Sequence, residues 1–272
     1  MTDSSGWQLT GSGPAAYERY IVPAFMEASQ ELVALAALHA GERVLDVACG
    51  TGILARLAAR RVGPTGKTVG TDLNEGMLDL ARATERPVDA APIEWRPSDA
   101  AALPFPDGSF DVVLCQYGLE FFADRARGVR EMARVLGPGG RLVLRVWRAL
   151  DRQPFYVALL EALERHMRAG VGAPILKAFT LADVAELRTL AIGAGFRDVH
   201  IRIRTNLIRY QSLEEYVLGY LRVFLSVASD VAAMTDDTIR RALLQDVTAA
   251  LRGFIDDDGL AVPMESHVVV AR

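Results

Sequence analysis

The chain has 272 residues, 51% of them hydrophobic and 24% charged, which is typical of a globular protein with a full core. A net charge of −4 argues against binding to nucleic acid, which needs a concentrated basic surface. With two cysteines, no apolar run of membrane-spanning length and no signal peptide pattern, we expect a cytoplasmic enzyme with no membrane span, disulfide framework or metal site.

The leading segment, residues 1–40, is predicted to form an N-terminal lid and a helix. Residues 1–13 are polar and rich in glycine, and Pro14 and Pro23 stand where helices can begin. Apolar spacing predicts that the second of these helices runs to about His39.

Residues 41–150 alternate short apolar strands with amphipathic helices. Strands are predicted at 44–48, 68–72, 93–97, 110–116 and 141–147, and helices at 53–62, after the cap residue Asn74, and around 129–136. This alternation predicts an α/β fold with a doubly wound, Rossmann-like parallel sheet.

Residues 151–272 are assigned to the same domain, with helical insertions at about 151–180 and 207–258. Thr180 with Asp183, and Ser212 with Glu215, resemble capping boxes that open helices. Alternating apolar residues predict a strand at 199–204, and a final strand is expected at 264–271.

The sequence VLDVACGTG, residues 44–52, places a glycine turn between a buried strand and a helix. Such a turn directs backbone N–H groups and the helix N-terminus at a bound ligand, and Gly50 and Gly52 allow close approach. Asp72 follows Gly52 by 20 residues, at the end of the next strand, where a carboxylate can accept bonds from both ribose hydroxyls.

Two ligand classes fit this turn. Gly50, Gly52 and Ala55 match the G-x-G-x-x-A pattern of a nicotinamide dinucleotide site. Asp46 favours S-adenosylmethionine (SAM), because a buried carboxylate repels phosphates but attracts the ammonium group of an amino acid tail. The alternatives to a methyltransferase are a nicotinamide-dependent oxidoreductase and a non-catalytic SAM-binding protein.

Four stretches then carry a family resemblance: VLDVACGTG (44–52), VGTDLNEGML (69–78), PSDAAALPFPDGSFDVVLCQYGLEFF (97–122) and REMARVLGPGGRLVLRVW (130–147). Over residues 40–150 the chain resembles the class I SAM-dependent methyltransferases, and within them the ubiquinone/menaquinone-biosynthesis-like group (methyltransferase type 11). The resemblance implies a seven-stranded sheet with its last strand antiparallel, helical lid insertions, SAM as cofactor and S-adenosylhomocysteine (SAH) as product.

The resemblance also implies roles for the matching positions. The methionine end would be held by Asp46 and the backbone of Ala48, Gly50 and Gly52, the ribose by Asp72, the adenine by Leu73, Met77, Asp99 and the Ala100 backbone, and the transferring methyl group would lie beside Gln116 and Tyr117. Many relatives have glycine in place of Ala48, and we expect a tighter turn there.

The methyl acceptor is less defined. We expect a small, apolar or aromatic molecule, such as a quinone or a secondary metabolite, bound over the carboxyl ends of the strands. Tyr20 is the preferred lid residue, since relatives often close the cofactor site with an N-terminal aromatic or polar side chain. Tyr20 and His166 are the candidate catalytic residues, although a histidine at the end of a helix is more often an exposed residue without a catalytic role. Monomer and homodimer are both open, as are O-, N- and C-methylation.

Overall fold

The computed structural model describes residues 8–84, 88–167, 169–225 and 237–272. Its strands are β1 (Arg43–Val47), β2 (Lys67–Asp72), β3 (Ile93–Pro97), β4 (Phe110–Gln116), β5 (Leu136–Trp147), β6 (Val199–Tyr210), β7 (Ile255–Asp256) and β8 (Gly259–Ala271). Its α-helices are α1 (Gly13–Ala16), α2 (Val22–Leu35), α3 (Ile53–Val62), α4 (Glu75–Ala83), α5 (Arg125–Arg134), α6 (Pro154–His166), α7 (Ala173–Leu176), α8 (Val184–Gly193), α9 (Leu213–Leu225) and α10 (Asp237–Leu251).

The strands form one sheet in the order β3-β2-β1-β4-β5-β8-β6. Strands β1 to β5 are parallel, and β8 lies antiparallel between β5 and β6. The prediction of a doubly wound sheet with its last strand antiparallel is confirmed. A two-residue strand, β7, pairs with the start of β8 and adds an eighth strand that was not predicted.

Helices cover both faces of the sheet, which explains why its central strands are continuously apolar. Val44 of β1 packs in one cluster with α2 and α3, while its neighbour Leu45 packs in another with α5 and α8. Because side chains alternate along a strand, β1 supplies both cores and both residues are fully buried. Because β1 to β5 are parallel, their carboxyl ends lie at the same edge of the sheet.

The leading helix is continuous from Gly13 to Leu35, with a π-helical turn at Tyr17–Ile21. It ends earlier than the predicted His39, because Ala37 adopts a left-handed conformation with φ of 47°. Residues 1–7 lie outside the described part of the chain.

Beyond β5 two predictions need correction. Strands β6 and β8 pair over their whole lengths, from Val199–Ala271 to Tyr210–Leu260, and so are longer than the strands predicted at 199–204 and 264–271. Asp183 alone caps α8, accepting from the Ala185 N–H at 2.8 Å. Thr180 instead donates to the Lys177 carbonyl at 2.8 Å, so the predicted capping box there is wrong.

None of the helices in the described ranges is both long and apolar enough to cross a membrane. The division into a leading segment, a core to residue 150 and a covered remainder stays a prediction.

Candidate functional site

The turn after β1 has an unusual backbone. Ala48, Gly50 and Gly52 all have positive φ, at 57°, 56° and 88°, and α3 begins at Ile53. The Cys49 N–H donates to the Thr71 carbonyl at 2.9 Å, which fixes the turn to β2. Left-handed residues at alternate positions expose backbone N–H groups at the carboxyl edge.

Gly52 is also required for packing. A Cβ atom at Gly52 would lie 2.3 Å from the Trp95 ring, and one at Gly70 would lie 2.4 Å from the same ring. The indole of Trp95, on β3, therefore rests directly on both glycines. The glycine at position 52, part of the pattern that suggested a ligand loop, is thus also required by its contact with Trp95.

Asp72, the last residue of β2, ties the turn to the neighbouring strand. Its Oδ2 accepts from the Gly50 N–H at 2.8 Å, and its Oδ1 accepts from the Asn74 N–H at 2.9 Å. Burial raises the pKa of Asp72, while these N–H donors act in the opposite direction. A carboxylate oxygen has two lone pairs, so each still has capacity for a hydroxyl donor.

Asp46 is a buried acid with an unused oxygen. It is 1% exposed, and its Oδ2 has no hydrogen-bond partner in the described part of the chain. Burial raises its pKa well above the usual range, the Ala55 N–H lowers it and the Asp72 charge raises it again. An unpartnered buried carboxyl costs free energy, and a cationic ligand group would remove that cost.

The leading helix covers this turn through Tyr17. The Tyr17 ring is the nearest group to Gly50, at 3.9 Å from the position of an added Cβ atom. Burial, followed by the charge of Asp72, raises the pKa of Tyr17. The next residue, Glu18, forms a 3.0 Å ion pair with Arg56, which itself donates to the Thr51 carbonyl at 2.6 Å.

Tyr20, the predicted lid residue, lies elsewhere. Its hydroxyl accepts from Arg222 at 2.9 Å, and its ring fills the space that a Cβ atom at Gly219 would need. The side chain is buried against α9 rather than placed over the glycine turn. The structure brings Tyr17, and not Tyr20, to the turn.

The residues expected at the adenine lie along the ends of β2 and β3. Leu73 is 52% exposed, whereas Met77 is buried in the cluster formed with the covering helices. Asp99 accepts from the Ala101 N–H at 2.8 Å, so its side chain already caps a turn. Ala100 is half-buried against the sheet core.

Gln116 and Tyr117 end β4 beside the same edge. The Gln116 amide donates to the Ser29 hydroxyl at 2.7 Å, and its buried Oε1 has no partner in the described ranges. Tyr117 has a φ of 54°, and its ring stacks on Trp147 with centroids 4.3 Å apart.

Trp147, the last residue of β5, is the centre of an aromatic cluster. Its ring contacts four others at centroid distances of 4.3–5.8 Å, from Phe25, Tyr117, Tyr156 and Phe179. Phe25 lies on α2, Tyr117 directly follows β4, Tyr156 lies on α6 and Phe179 ends the turn at Lys177–Phe179. Together with Trp147 we call them the aromatic cluster. Sequence reasoning missed Trp147 because these aromatic residues are far apart in the chain and come together only in the folded structure.

Glu120 is a second residue that the sequence did not indicate. It lies on a short 3₁₀ turn, Leu119–Phe121, and is 1% exposed. Its Oε1 accepts from the Trp147 N–H at 2.8 Å, while its Oε2 has no partner in the described part. Burial raises the pKa of Glu120 to about 8.

Comparison with known proteins agrees with this geometry. A family model described as a methyltransferase domain matches residues 45–144. A ubiquinone/menaquinone biosynthesis C-methyltransferase of Pseudomonas putida is 46% identical over 115 residues, which cover 41% of this chain and 44% of that enzyme. The enzyme of that name from Ectopseudomonas oleovorans is 46% identical over 112 residues, 40% of this chain and 65% of its own length.

Residues 45–144 therefore resemble a SAM-dependent methyltransferase domain. A candidate methyltransferase of Bacillus halodurans has a similar structure, with a TM-score of 0.58 and 25% identity over 90% of this chain and 98% of its own. Similarity of fold extends to a phosphoethanolamine N-methyltransferase of Haemonchus contortus solved with SAH, with a TM-score of 0.59, 18% identity, and coverage of 96% and 57%.

The matched region, residues 45–144, contains the glycine turn, Asp46, Asp72 and Glu120, but not the covering helices. The aligned stretches span less than two-thirds of the curated relatives, and the family match ends at residue 144, before α6, α9 and α10. None of these comparisons supports the oxidoreductase alternative.

His166 lies outside the matched region, at the end of α6. Its Nε2 is 2.8 Å from Asp246 Oδ2, so it ties α6 to α10. In the described residues, no cluster of histidine, cysteine and acidic side chains is suited to a metal ion.

Proposed function

We propose that this chain transfers the methyl group of SAM to a small, flat acceptor of aromatic or quinol type, releasing SAH. One observation carries the proposal: the Asp46 carboxyl lies just before the glycine turn, and its Oδ2 has no hydrogen-bond partner among the described residues. That position suits an ammonium group and disfavours a pyrophosphate.

The residues present fit SAM. Asp46 would hold the ammonium group, the turn from Ala48 to Gly52 would face the methionine end, and Asp72 has lone pairs left for both ribose hydroxyls. Leu73 is exposed at the edge and offers apolar surface to the adenine. Asp99 would meet the adenine amino group, with a backbone contact from Ala100 beside it. Gln116, Tyr117 and Met77 complete the proposed contacts.

Bound SAM supplies a methyl carbon made electrophilic by its sulfonium, and the chain has to align the acceptor and exclude water. Tyr17 would close the turn from above, held by the ion pair between Glu18 and Arg56. The aromatic cluster offers flat apolar surface next to the proposed methyl position beside Tyr117.

The acceptor class rests on that cluster and on the relatives' names. Two curated relatives are ubiquinone/menaquinone biosynthesis C-methyltransferases, so a quinol ring is a natural first test. The net charge of −4 disfavours nucleic acid as a substrate. A cytoplasmic location and a monomeric or homodimeric state are part of the proposal.

The test is methyl transfer from trideuteromethyl-SAM to 1,4-dihydroxynaphthalene and catechol, followed by mass spectrometry of SAH and labelled product. We expect labelled product from the wild type, and loss of at least about tenfold in Asp46→Asn, since a charge-assisted bond is removed. Asp79→Asn, an exposed control on α4, should match the wild type. SAH formation no faster than in Asp46→Asn would favour the non-catalytic SAM-binding alternative.

A further inference from the structure

We propose that Glu120 accepts the proton of the acceptor's hydroxyl group; this inference rests on the proposed function. A phenol or quinol is a poor nucleophile until its hydroxyl proton is removed or strongly hydrogen bonded. The acceptor site therefore needs a proton acceptor, and Glu120 is the buried group that the geometry points to.

The position of Glu120 places it at the acceptor side of the edge. Its turn follows β4 directly and packs against Lys177–Phe179, which supplies Phe179 to the aromatic cluster. Its Oε1 is bonded to the backbone N–H of Trp147, the residue whose ring centres that cluster. The carboxyl group is thus held beside the surface on which a flat acceptor would lie.

No structural contact among the described residues uses Oε2, the second carboxyl oxygen of Glu120. Arg125, from α5, donates to the Glu120 backbone carbonyl at 3.1 Å and not to the carboxyl group. Oε2 is buried without a partner in the described residues, a state that costs free energy in a folded protein. A hydroxyl donor from a bound acceptor would satisfy it.

The groups around Glu120 also determine the pH at which its carboxyl group ionises. The groups with electrostatic influence here are Arg125 from α5 and Cys115 and Tyr117 from β4. Burial outweighs the backbone N–H bonds from Glu120 itself and from Trp147, as well as the Arg125 charge, and raises the pKa of Glu120 to about 8. An acid with a pKa near the working pH is an efficient proton acceptor.

The proton balance of the step is simple. As Oε2 takes the hydroxyl proton, the electron pair of that O–H bond stays on the acceptor, which forms the new bond to the methyl carbon. The electron pair of the sulfonium–methyl bond returns to sulfur, so neutral SAH leaves. Glu120 later releases its proton to solvent.

The test compares two ligands that differ only in the hydroxyl proton. Kd values of 1-naphthol and 1-methoxynaphthalene would be measured calorimetrically on the SAH-saturated protein. We expect Glu120→Gln to weaken 1-naphthol about tenfold and to leave 1-methoxynaphthalene within about twofold, because only the hydroxyl loses its acceptor. Glu161→Gln, an exposed control on α6, should change neither.

A second measurement varies the pH, with the same two ligands, for the wild type and Glu120→Gln. The preference for 1-naphthol over 1-methoxynaphthalene should rise between about pH 6 and about pH 8.5, as Glu120 ionises, and should be flat in Glu120→Gln. Equal effects on both ligands, or no wild-type preference for 1-naphthol, would overturn the inference. Failure of the wild type to bind SAH would instead overturn the proposed function first.

Discussion

Ala48 shows at the scale of one residue how the glycine turn is strained. Its φ of 57° is in the left-handed region, which costs a residue with a Cβ atom about 1 kcal/mol. The methyl group also faces Gly118, where an added Cβ atom would lie only 2.5 Å away. A tighter turn was expected at this position, and in the structure Ala48 adopts an unfavourable backbone conformation.

Ala48→Gly is therefore expected to raise the free energy of unfolding by about 0.5–1 kcal/mol, since glycine adopts this conformation without strain. Urea unfolding would measure it. The matched control is Ala249→Gly, at an exposed position inside α10, which should lower stability by up to about 1 kcal/mol. A loss of stability in both variants would show that Ala48 is not strained.

Glu120 marks the limit of sequence reasoning at this scale. Nothing in its sequence context distinguishes it from an exposed helix-turn acid, because its burial depends on α5, β5 and the Lys177–Phe179 turn together. Asp46 and Asp72 were accessible to prediction because they lie inside or at the end of apolar strands.

The leading helix decides the site at the scale of secondary structure. Its π-helical turn, Tyr17–Ile21, inserts extra residues into one turn, so the phase of the helix changes there. Tyr17 consequently faces Gly50, and Tyr20 faces Gly219 on α9. Periodicity predicts an aromatic lid in this segment, but a local change of phase decides which tyrosine it is.

This arrangement separates the two tyrosines experimentally. Tyr17→Ala should raise the Kd for SAH by about tenfold, because it opens the glycine turn to water. Tyr20→Ala should leave that Kd within about twofold, yet lower thermal stability through the cavity it creates. Calorimetric titration and thermal unfolding give the two readouts, and the reverse pattern would restore Tyr20 as the lid.

At the scale of the whole molecule, the core of the sheet could be predicted from the sequence, whereas the packing of the covering helices could not. Strands β1 to β5 and helices α3 to α5 were predicted within a few residues, because buried parallel strands and glycine turns have strong local patterns. The aromatic cluster draws on residues from 25 to 179, and no local pattern reports such convergence. The acceptor is for this reason proposed only as a chemical class.

The length of β6 and β8 illustrates the same limit. Their outer halves extend beyond the predicted strands and carry α9 and α10 between them, so the covering helices are connected through the sheet itself. Pairing along the full strands, and not the local alternation, determines where the insertion begins.

The most direct test of the account is calorimetric titration of the purified chain with SAH and, separately, with NADH. We predict that SAH binds and NADH does not. We also predict that Asp46→Asn weakens SAH binding by about 10- to 100-fold while Asp79→Asn does not, because the proposal assigns the ammonium group to Asp46 alone. Binding of NADH without SAH would contradict the account and assign the glycine turn to a dinucleotide.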